Sequence, residues 1–303
     1  MTAVVTRKPD ITPGGPLGRL VVGLVMRWLR WLSPATRRAL AFFVAKVAFV
    51  LGIRRGVALD NLTHAFPEKP EAERLEIARG VYRSLALAAI EAVTSDLLSD
   101  QELERAVEIV DWKGLDVVLE AHQPVLIASA HLGSWELFAE VMARRKIALS
   151  AVVRPLAGAF NEWVVNNRKG AGVELILQRG ALRKMLAALE RGRAVVQLID
   201  QVLPAKDGVF VPFFGRLAST TPAVSMAARV SKAPVYVVAA VREGERLRMF
   251  VEGPVPFVET GDRDRDLTAH TATLTAIIEG LIRRYPDQWL WLHRRWKVAP
   301  PQG

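Results

Sequence analysis

Residues 124–145 read PVLIASAHLGSWELFAEVMARR, an apolar run that passes through a short polar stretch into a helical pattern. The run PVLIASA has the length and the Val and Ile content of a buried strand. From Ser134 onward the residues SWELFAEVMARR are typical of a helix. The stretch therefore predicts a strand over 124–130 and a helix over 134–145, with His131 at the junction.

The same alternation continues towards the carboxyl terminus. Further strands are predicted at 147–153, 172–177, 194–200, 234–242 and 246–253, with the last two as a candidate pair, and helices at 160–170, 181–191, 221–231 and 266–284. The run VFVPFFG at 209–215 is predicted as an extended loop, and 70–95 as an upstream helix. Short apolar strands separated by helices indicate an α/β fold with a largely parallel sheet covered by helices.

The first sixty residues combine apolar runs with positive charge. They hold ten Arg or Lys against two acids and so carry +8 of the net charge of +10. Within 17–53, cations interrupt two apolar stretches, and neither reaches the roughly 18–20 residues of a confident transmembrane helix. Trp28 and Trp31 suit a membrane interface. We expect helices lying on an anionic membrane surface, one of them dipping in or crossing; an ordinary core helical hairpin is the alternative.

The composition excludes several classes of function. The chain has no cysteine, which excludes disulfides, thiolate nucleophiles and Cys-ligated metals. The five histidines are scattered without the spacing of a zinc site, so no metal and no cofactor are expected. Nucleotide-binding glycine loops and a serine nucleophile elbow are also missing. Because the positive charge is concentrated at the amino terminus, nucleic acid is not an expected partner.

Polar side chains follow three of the predicted strands. His131 comes after PVLIASA, Arg154 after IALSAVV, and Asp200 with Gln201 after AVVQLI. Ligands of open α/β sheets bind beyond the carboxyl ends of the strands. We therefore expect these residues at one site, where Arg154 would clamp a phosphate or polarise a thioester carbonyl. Arg154 in a surface salt bridge and Asp200 as a strand-end cap are the alternatives.

His131 and Glu136 form an H-x4-E pattern. On one continuous helix the two side chains would diverge, so they can meet only if His131 lies in a loop and Glu136 in the first helical turn. Gly133 and Ser134 permit that break. Glu136 would then accept a hydrogen bond from one imidazole nitrogen and leave the other basic towards a hydroxyl. A structural histidine at a strand end and an exposed acid are the alternative reading.

A basic block lies near the carboxyl terminus. The side chains of Arg294 and Arg295, beside His293 and Lys297, could bind the phosphates of a lipid headgroup. A solvated basic face is the alternative.

Taken together, these stretches resemble the late acyltransferases of lipid A biosynthesis, the lauroyl/myristoyl transferase family. The resemblance spans roughly 17–297 and includes His131-x4-Glu136. Its other parts are NLTHAFPE (61–68), VRP (153–155), DQ (200–201) followed by VFVPFFG (209–215), and PDQWLWLHRRWK (286–297). The terminal block and the DQ…VFVPFFG pair are its most specific parts.

The resemblance implies a glycerolipid acyltransferase-like fold and a membrane-associated enzyme at the cytoplasmic side of the cell inner membrane. The donor would be an acyl carrier protein thioester or acyl-CoA, and the acceptor a hydroxyl of a lipid A precursor. His131 would be the general base and Glu136 its orienting partner. The chain would comprise a flexible tail (1–16), basic apolar membrane-associating helices (17–60) and an α/β acyltransferase domain (61–303).

Three alternatives remain open on the sequence. The acceptor could be another glycolipid, such as a phosphatidylinositol mannoside, whose acyltransferases resemble the same family. The protein could bind lipid without catalysing a reaction. It could also be a lipid hydrolase that uses the same histidine with water as acceptor.

Overall fold

The strand and helix predicted over 124–145 are present. Strand β2 (Val125–Ser129) is buried along its whole length, and helix α7 (Trp135–Arg144) follows it after a five-residue loop. The structure is a computed structural model that describes residues 15–154, 158–170 and 172–300. The β2–α7 unit lies at the centre of the fold because β2 is a middle strand of the main sheet.

The described residues form nine strands, of which seven, including β2, make up the main sheet and two make up a separate hairpin. In chain order the other strands are β1 (Val107–Asp111), β3 (Leu149–Val153), β4 (Glu174–Leu177), β5 (Ala194–Leu198), β6 (Val209–Phe213), β7 (Arg216–Thr220), β8 (Val235–Glu243) and β9 (Arg246–Glu252). The other helices are α1 (Pro16–Trp31), α2 (Pro34–Val50), α3 (Arg55–Ala65), α4 (Glu71–Thr94), α5 (Asp100–Ala106), α6 (Leu115–Glu120), α8 (Ala159–Gly170), α9 (Ala181–Glu190), α10 (Ala223–Ser231) and α11 (Arg263–Arg284).

The main sheet has the order β1-β9-β8-β2-β5-β3-β4. Strands β8, β2, β5, β3 and β4 are parallel to one another, while β9 runs antiparallel to β8 and β1 parallel to β9. The predicted pairing of 234–242 with 246–253 is therefore confirmed. The predicted largely parallel α/β sheet is confirmed as well.

Helices cover both faces of this sheet. Alternate residues of β2 point to opposite faces, and they belong to two different apolar clusters. Leu126 and Ala128 pack with residues of α9, α10 and α11. Val125 and Ile127 pack with residues of α6 and α7. This double burial explains why the strands read as continuous apolar runs instead of alternating ones.

The segment 209–215 differs from its prediction. It forms β6, which pairs in an antiparallel hairpin with β7. The two turn residues, Phe214 and Gly215, both have positive φ angles of 49° and 77°, the signature of the tight turns that match strand twist. A sequence pattern alone missed the hairpin because the turn carries a bulky Phe where Asn, Asp or Gly is the usual signal.

The amino-terminal helices are two separate elements. The first ends at Trp31, and Ser33 caps the second, because its hydroxyl accepts a hydrogen bond from the Thr36 amide at 3.2 Å, and Pro34 begins that helix. Within the part of the chain that the structure describes, no helix is both long and apolar enough to cross a membrane. The tail predicted at 1–16 lies, up to residue 14, outside the described residues.

Candidate active site

Backbone hydrogen bonds and a close approach to another strand hold the loop that follows β2 in place. The Gly133 amide donates to the Gln288 carbonyl at 3.0 Å, and the Leu290 amide donates to the His131 carbonyl at 3.1 Å. Gly133 has a φ of 61°, and a Cβ added there would lie 2.0 Å from the carbonyl oxygen of Ala240. Only glycine fits this position, so the loop that presents His131 depends on Gly133.

Asp200 reaches His131 because β2 and β5 are neighbours. The register pairs Ser129 with Leu198, which places His131 and Asp200 opposite each other two residues farther on. Asp200 Oδ2 accepts the backbone amide of His131, and Oδ1 lies against the imidazole Nδ1, both at 2.8 Å. The indole N–H of Trp289 also donates to Oδ2 at 2.8 Å. One carboxylate thus fixes both the backbone and the ring of His131.

The Asp200 carboxylate is nearly inaccessible, with 2% of its side chain exposed. Burial alone would raise the pKa of this carboxyl. The charge of His131 and the hydrogen bonds from His131 and Trp289 outweigh burial and lower the pKa of Asp200 to about 2. Asp200 is therefore ionised throughout the neutral range and acts as an acceptor only.

The hydrogen bonds define which imidazole nitrogen carries the proton. Because Asp200 is ionised, Nδ1–H of His131 donates to it and Nε2 keeps a lone pair. That lone pair faces the amide nitrogen of Gln201 at 3.2 Å. The His131 side chain is 22% exposed, so part of the imidazole ring is accessible. A hydroxyl that took the place of the Gln201 amide could donate its proton to the lone pair of Nε2.

Glu136 has other partners than the predicted one. In the described residues its carboxylate is bound by Arg168, with Nε donating to Oε2 at 3.0 Å and a second guanidinium nitrogen donating to Oε1. The indole N–H of Trp135 donates to Oε1 at 3.0 Å. The expected hydrogen bond from His131 to Glu136 is thus replaced by one to Asp200, because the β2–β5 register brings Asp200 closer to Nδ1.

Trp135 connects the two groups. Its ring packs edge-on against the His131 ring, with 5.2 Å between the centroids, while its N–H bonds Glu136. Among the described residues, Glu136 is therefore linked to the histidine through this tryptophan. The Trp135–Glu136 pair can therefore restrain the orientation of the imidazole ring without exchanging a proton with it.

The three predicted arginines have different surroundings. Arg154 follows β3 at the same sheet edge as His131 and is exposed, and Arg294 is exposed as well. Arg295 is fully buried: it donates to the Ser219 carbonyl at 2.7 Å and to the Thr220 hydroxyl. Its guanidinium cannot face a headgroup in this position, which corrects the expectation from the basic block.

Burial also shifts the ionisation of the carboxyl-terminal block. It lowers the pKa of Arg295 to about 10, with the negative charge of Asp200 opposing the change. It lowers the pKa of His293 to about 4, again against the effect of Asp200. Neutral His293 accepts the Val202 amide at Nε2 over 3.1 Å. The block therefore holds the loop after β5, next to Gln201.

Trp289, Trp135 and Arg168 were not among the predicted site residues. A signal for Trp289 was present, because a buried carboxylate needs several donors and the strap PDQWLWLHRRWK offers indole N–H groups. Arg168 had no such signal, since its pairing with Glu136 joins two helices whose packing only the fold defines. Asp200 and Gln201 were predicted at the site, and the structure brings both to His131.

Comparison with known proteins identifies one family of related sequences. The family of bacterial lipid A biosynthesis acyltransferases matches residues 17–298. The chain is 30% identical over 250 residues to the lipid A biosynthesis palmitoleoyltransferase of Escherichia coli K12, covering 82% of this chain and 80% of that protein. It is 24% identical over 288 residues to the lauroyltransferase of the same strain, covering 90% and 92%.

A third relative is the lipid A biosynthesis myristoyltransferase of Escherichia coli K12, at 22% identity over 248 residues, covering 80% of this chain and 75% of that protein. The match to the family covers almost the whole described fold, including the His131 loop, the Asp200 strand end and the carboxyl-terminal strap. The chain is therefore an acyltransferase of the late lipid A type and belongs to the bacterial lipid A biosynthesis acyltransferase family.

Proposed function

We propose that this enzyme transfers a fatty acyl chain from a thioester, on an acyl carrier protein or on CoA, to a hydroxyl of a lipid A precursor, with His131 as general base. The observation that carries the proposal is the Asp200–His131 pair, in which Nδ1 lies 2.8 Å from the carboxylate on a histidine side chain that is 22% exposed. An imidazole fixed in this way accepts a proton from a hydroxyl.

In the proposed reaction the acceptor hydroxyl displaces the Gln201 amide from His131 Nε2. Nε2 takes the hydroxyl proton as the acceptor oxygen attacks the thioester carbonyl carbon. The carbon–sulfur bond then breaks, and the thiolate leaves with the proton from the imidazolium. The charge of Asp200 stabilises the imidazolium in between. No acyl-enzyme forms, so the chain needs no nucleophilic serine or cysteine.

Glu136 has a positioning role in this proposal. It anchors Trp135 against His131 and is itself held by Arg168. Arg154 lies at the neighbouring strand end, exposed, where it can bind a phosphate or the thioester oxygen of a substrate. Arg294, also exposed, is the member of the carboxyl-terminal block that remains a candidate for headgroup binding.

We propose further that the enzyme works on the cytoplasmic side of the inner membrane, with α1 and α2 lying on the lipid. These helices expose an apolar surface that water does not favour, including Trp31 at 85% and Phe43 at 64% exposure. Trp28 is also exposed, and cations flank the surface. Aromatic rings and cations are the residues that bind the interface of an anionic membrane.

The exposed apolar side chains of this surface occur in one continuous part of the chain. They are Leu17, Leu20, Val21, Leu24, Val25, Trp28, Trp31, Phe42, Phe43, Val44, Val47, Val50, Leu51 and Ile53. Exposure of this many large apolar side chains on α1, α2 and the turn that follows favours a membrane contact over the core helical hairpin that the sequence left as an alternative.

The test is acyl transfer to a lipid A precursor in membrane vesicles, with an acyl thioester as donor. We expect His131→Ala to lower kcat by about 10²–10⁴-fold, the usual contribution of a general base. His122→Asn is the matched control, because His122 is exposed and asparagine tolerates its positive φ of 50°. Unchanged transfer by His131→Ala would exclude His131 as the base.

Product analysis separates the remaining alternatives. Mass spectrometry of lipid A from a strain lacking the protein should show one acyl chain missing, and its length identifies the donor. An intact lipid A together with an altered phosphatidylinositol mannoside would assign a different glycolipid acceptor. Release of free fatty acid without acceptor acylation would instead identify a hydrolase.

A further inference from the structure

A group of exposed cations lies beside the site and has no role in the mechanism above. Arg179 follows β4, and Arg183 and Lys184 lie in the first turn of α9; all three are exposed. None forms an ion pair with a carboxylate of the residues that the structure describes. We call these three residues the α9 cationic surface.

The opposite end of the same β4–α9 unit is neutralised. There Arg191 and Arg193 both pair with Glu174, at 2.7 and 3.0 Å. Within the β4–α9 unit, the arginines at the far end are paired, and the positive charge without an ion pair among the described residues lies at the sheet edge that carries His131. On the loop after β5, at this edge, Lys206 and Asp207 are both exposed and their charges offset each other.

The position of two of these cations is unfavourable for the helix. The amino terminus of a helix carries partial positive charge, and cations in the first turn cost about 0.3–1 kcal/mol each. Helix α9 has Arg183 and Lys184 there and no acidic residue in its first turn. A charge that costs stability in the free protein is explained if an anionic partner compensates it.

The α9 cationic surface is close enough to serve the site. The amide of Gln178 donates to the Val153 carbonyl at 2.9 Å, so Arg179 and Arg154 follow adjacent strand ends. From β2 to β4 there are three strand steps, about 14 Å in all at about 4.8 Å per step. A flexible arm that bears a thioester can bridge this distance between the surface and His131.

We propose that the α9 cationic surface docks an acidic protein that carries the acyl chain as a thioester. The inference rests on the proposed acyl transfer and names the partner of that site. These cations are exposed over a loop and a helical turn, a spread that fits the many carboxylates of an acidic protein surface. Helices α1 and α2, which carry the exposed apolar surface, pack on α4 and α8, whereas α9 packs on α10. The proposed docking surface and the proposed lipid-facing surface therefore belong to different helices.

The test is a double charge reversal, Arg179→Glu with Arg183→Glu, assayed with two donors that carry the same acyl chain. With acyl carrier protein as the carrier we expect KM to rise about tenfold or more while kcat stays within about twofold. With acyl-CoA, KM should change less than about twofold. Raising NaCl from about 50 to about 300 mM should raise the wild-type KM for the carrier-protein donor only.

Arg263→Glu with Arg265→Glu is the matched control, because both arginines are exposed and lie in the first turn of a different helix, α11. It should leave both KM values unchanged. Equal increases in KM for both donors would assign the surface to phosphates of CoA, and loss of anionic-vesicle binding would assign it to lipid; either overturns the proposal, as does an unchanged KM. A wild-type enzyme that transfers no acyl group from any donor would instead overturn the proposed function.

Discussion

Asp200 and Glu136 are two carboxylates beside one histidine, and they differ in almost every physical respect. Asp200 is 2% exposed and accepts three hydrogen bonds, two from His131 and one from Trp289. Glu136 is 17% exposed and pairs with Arg168 and Trp135. Glu136 is five residues from the histidine and Asp200 is sixty-nine residues away, so proximity in the chain is a poor guide to the partner of His131.

The acid of the H-x4-E pattern, Glu136, and the acid that holds the His131 ring, Asp200, are thus different residues. A carboxylate that orients the proposed base must touch it, and in the described residues Asp200 does so. A carboxylate that orients the neighbouring tryptophan acts on the shape of the site. The two roles predict different sensitivities to substitutions that preserve size and remove charge.

The largest expected effect is the contrast between Asp200→Asn and Glu136→Gln. Asparagine can present an N–H to Nδ1 and force the imidazole into the unproductive tautomer, so we expect kcat to fall by about 10²–10³-fold. Glutamine keeps the hydrogen bond from Trp135 and loses a partly exposed ion pair, so the fall should stay below about tenfold. Steady-state rates of acyl transfer measure both. A larger loss in Glu136→Gln than in Asp200→Asn would reverse the assignment.

The second prediction concerns stability against pH. The pKa of Asp200 is lowered to about 2 in the folded protein, so its stabilising contribution is present above the unfolded pKa of about 3.8 and is lost as the pH falls through about 2. The shift corresponds to about 2 kcal/mol. The difference in unfolding free energy between wild type and Asp200→Asn should therefore shrink as the pH falls from about 5 to about 2.

Urea unfolding over this pH range measures the effect. Glu136→Gln is the matched control, and its difference from wild type should change less. A wild-type advantage over Asp200→Asn that grows on acidification would contradict the lowered pKa.

The two tryptophans provide a finer comparison, since each donates one indole hydrogen bond to one of the carboxylates. Trp289→Phe leaves the buried Asp200 with one donor fewer, and hydrogen bonds to charged groups contribute about 1.5–3 kcal/mol. Trp135→Phe removes a donor from the more exposed Glu136, and we expect less than about 1 kcal/mol. Unfolding free energies of the two variants test this order, and equal losses would show that burial does not distinguish the two carboxylates.

The smallest effect is expected for Arg168→Met. It keeps most of the side-chain volume and removes the ion pair with Glu136, which is partly exposed on both sides. Such pairs contribute about 0–1 kcal/mol. The unfolding free energy and kcat should therefore change little, kcat by less than about fivefold. A loss of about 10²-fold would show that Arg168 touches a substrate and does not only hold Glu136.

Much of the fold followed from the sequence. The strands from β2 to β5 and the pair β8–β9 have the apolar content of buried strands, and the helices between them have the expected lengths. Since parallel strands end at the same edge, the polar residues after β2, β3 and β5 could be expected at one site. His131, Asp200 and Gln201 do meet there.

Other features could not be predicted in this way. The hairpin of β6 and β7 was missed because its turn uses Phe214 in a left-handed conformation, for which the pattern offers no cue. Arg295 looked like part of a solvated basic block, yet its carbonyl and hydroxyl partners come from β7. Within HRRWK (293–297), Arg294 is exposed and the next residue, Arg295, is buried. Which of the two is buried depends on the elements that pack against this segment.

The sequence by itself determined the largely parallel α/β sheet, the basic and apolar amino-terminal helices, and the histidine at a strand end. These features are local: they depend on composition and on spacing along the chain. Only the tertiary structure decided that Asp200 holds His131 and that Glu136 holds Trp135 and Arg168. The physical reason is that the hydrogen-bond partner of a strand-end side chain is the group that the neighbouring strand places within about 2.8 Å. Which strand is the neighbour depends on the order of strands in the folded sheet.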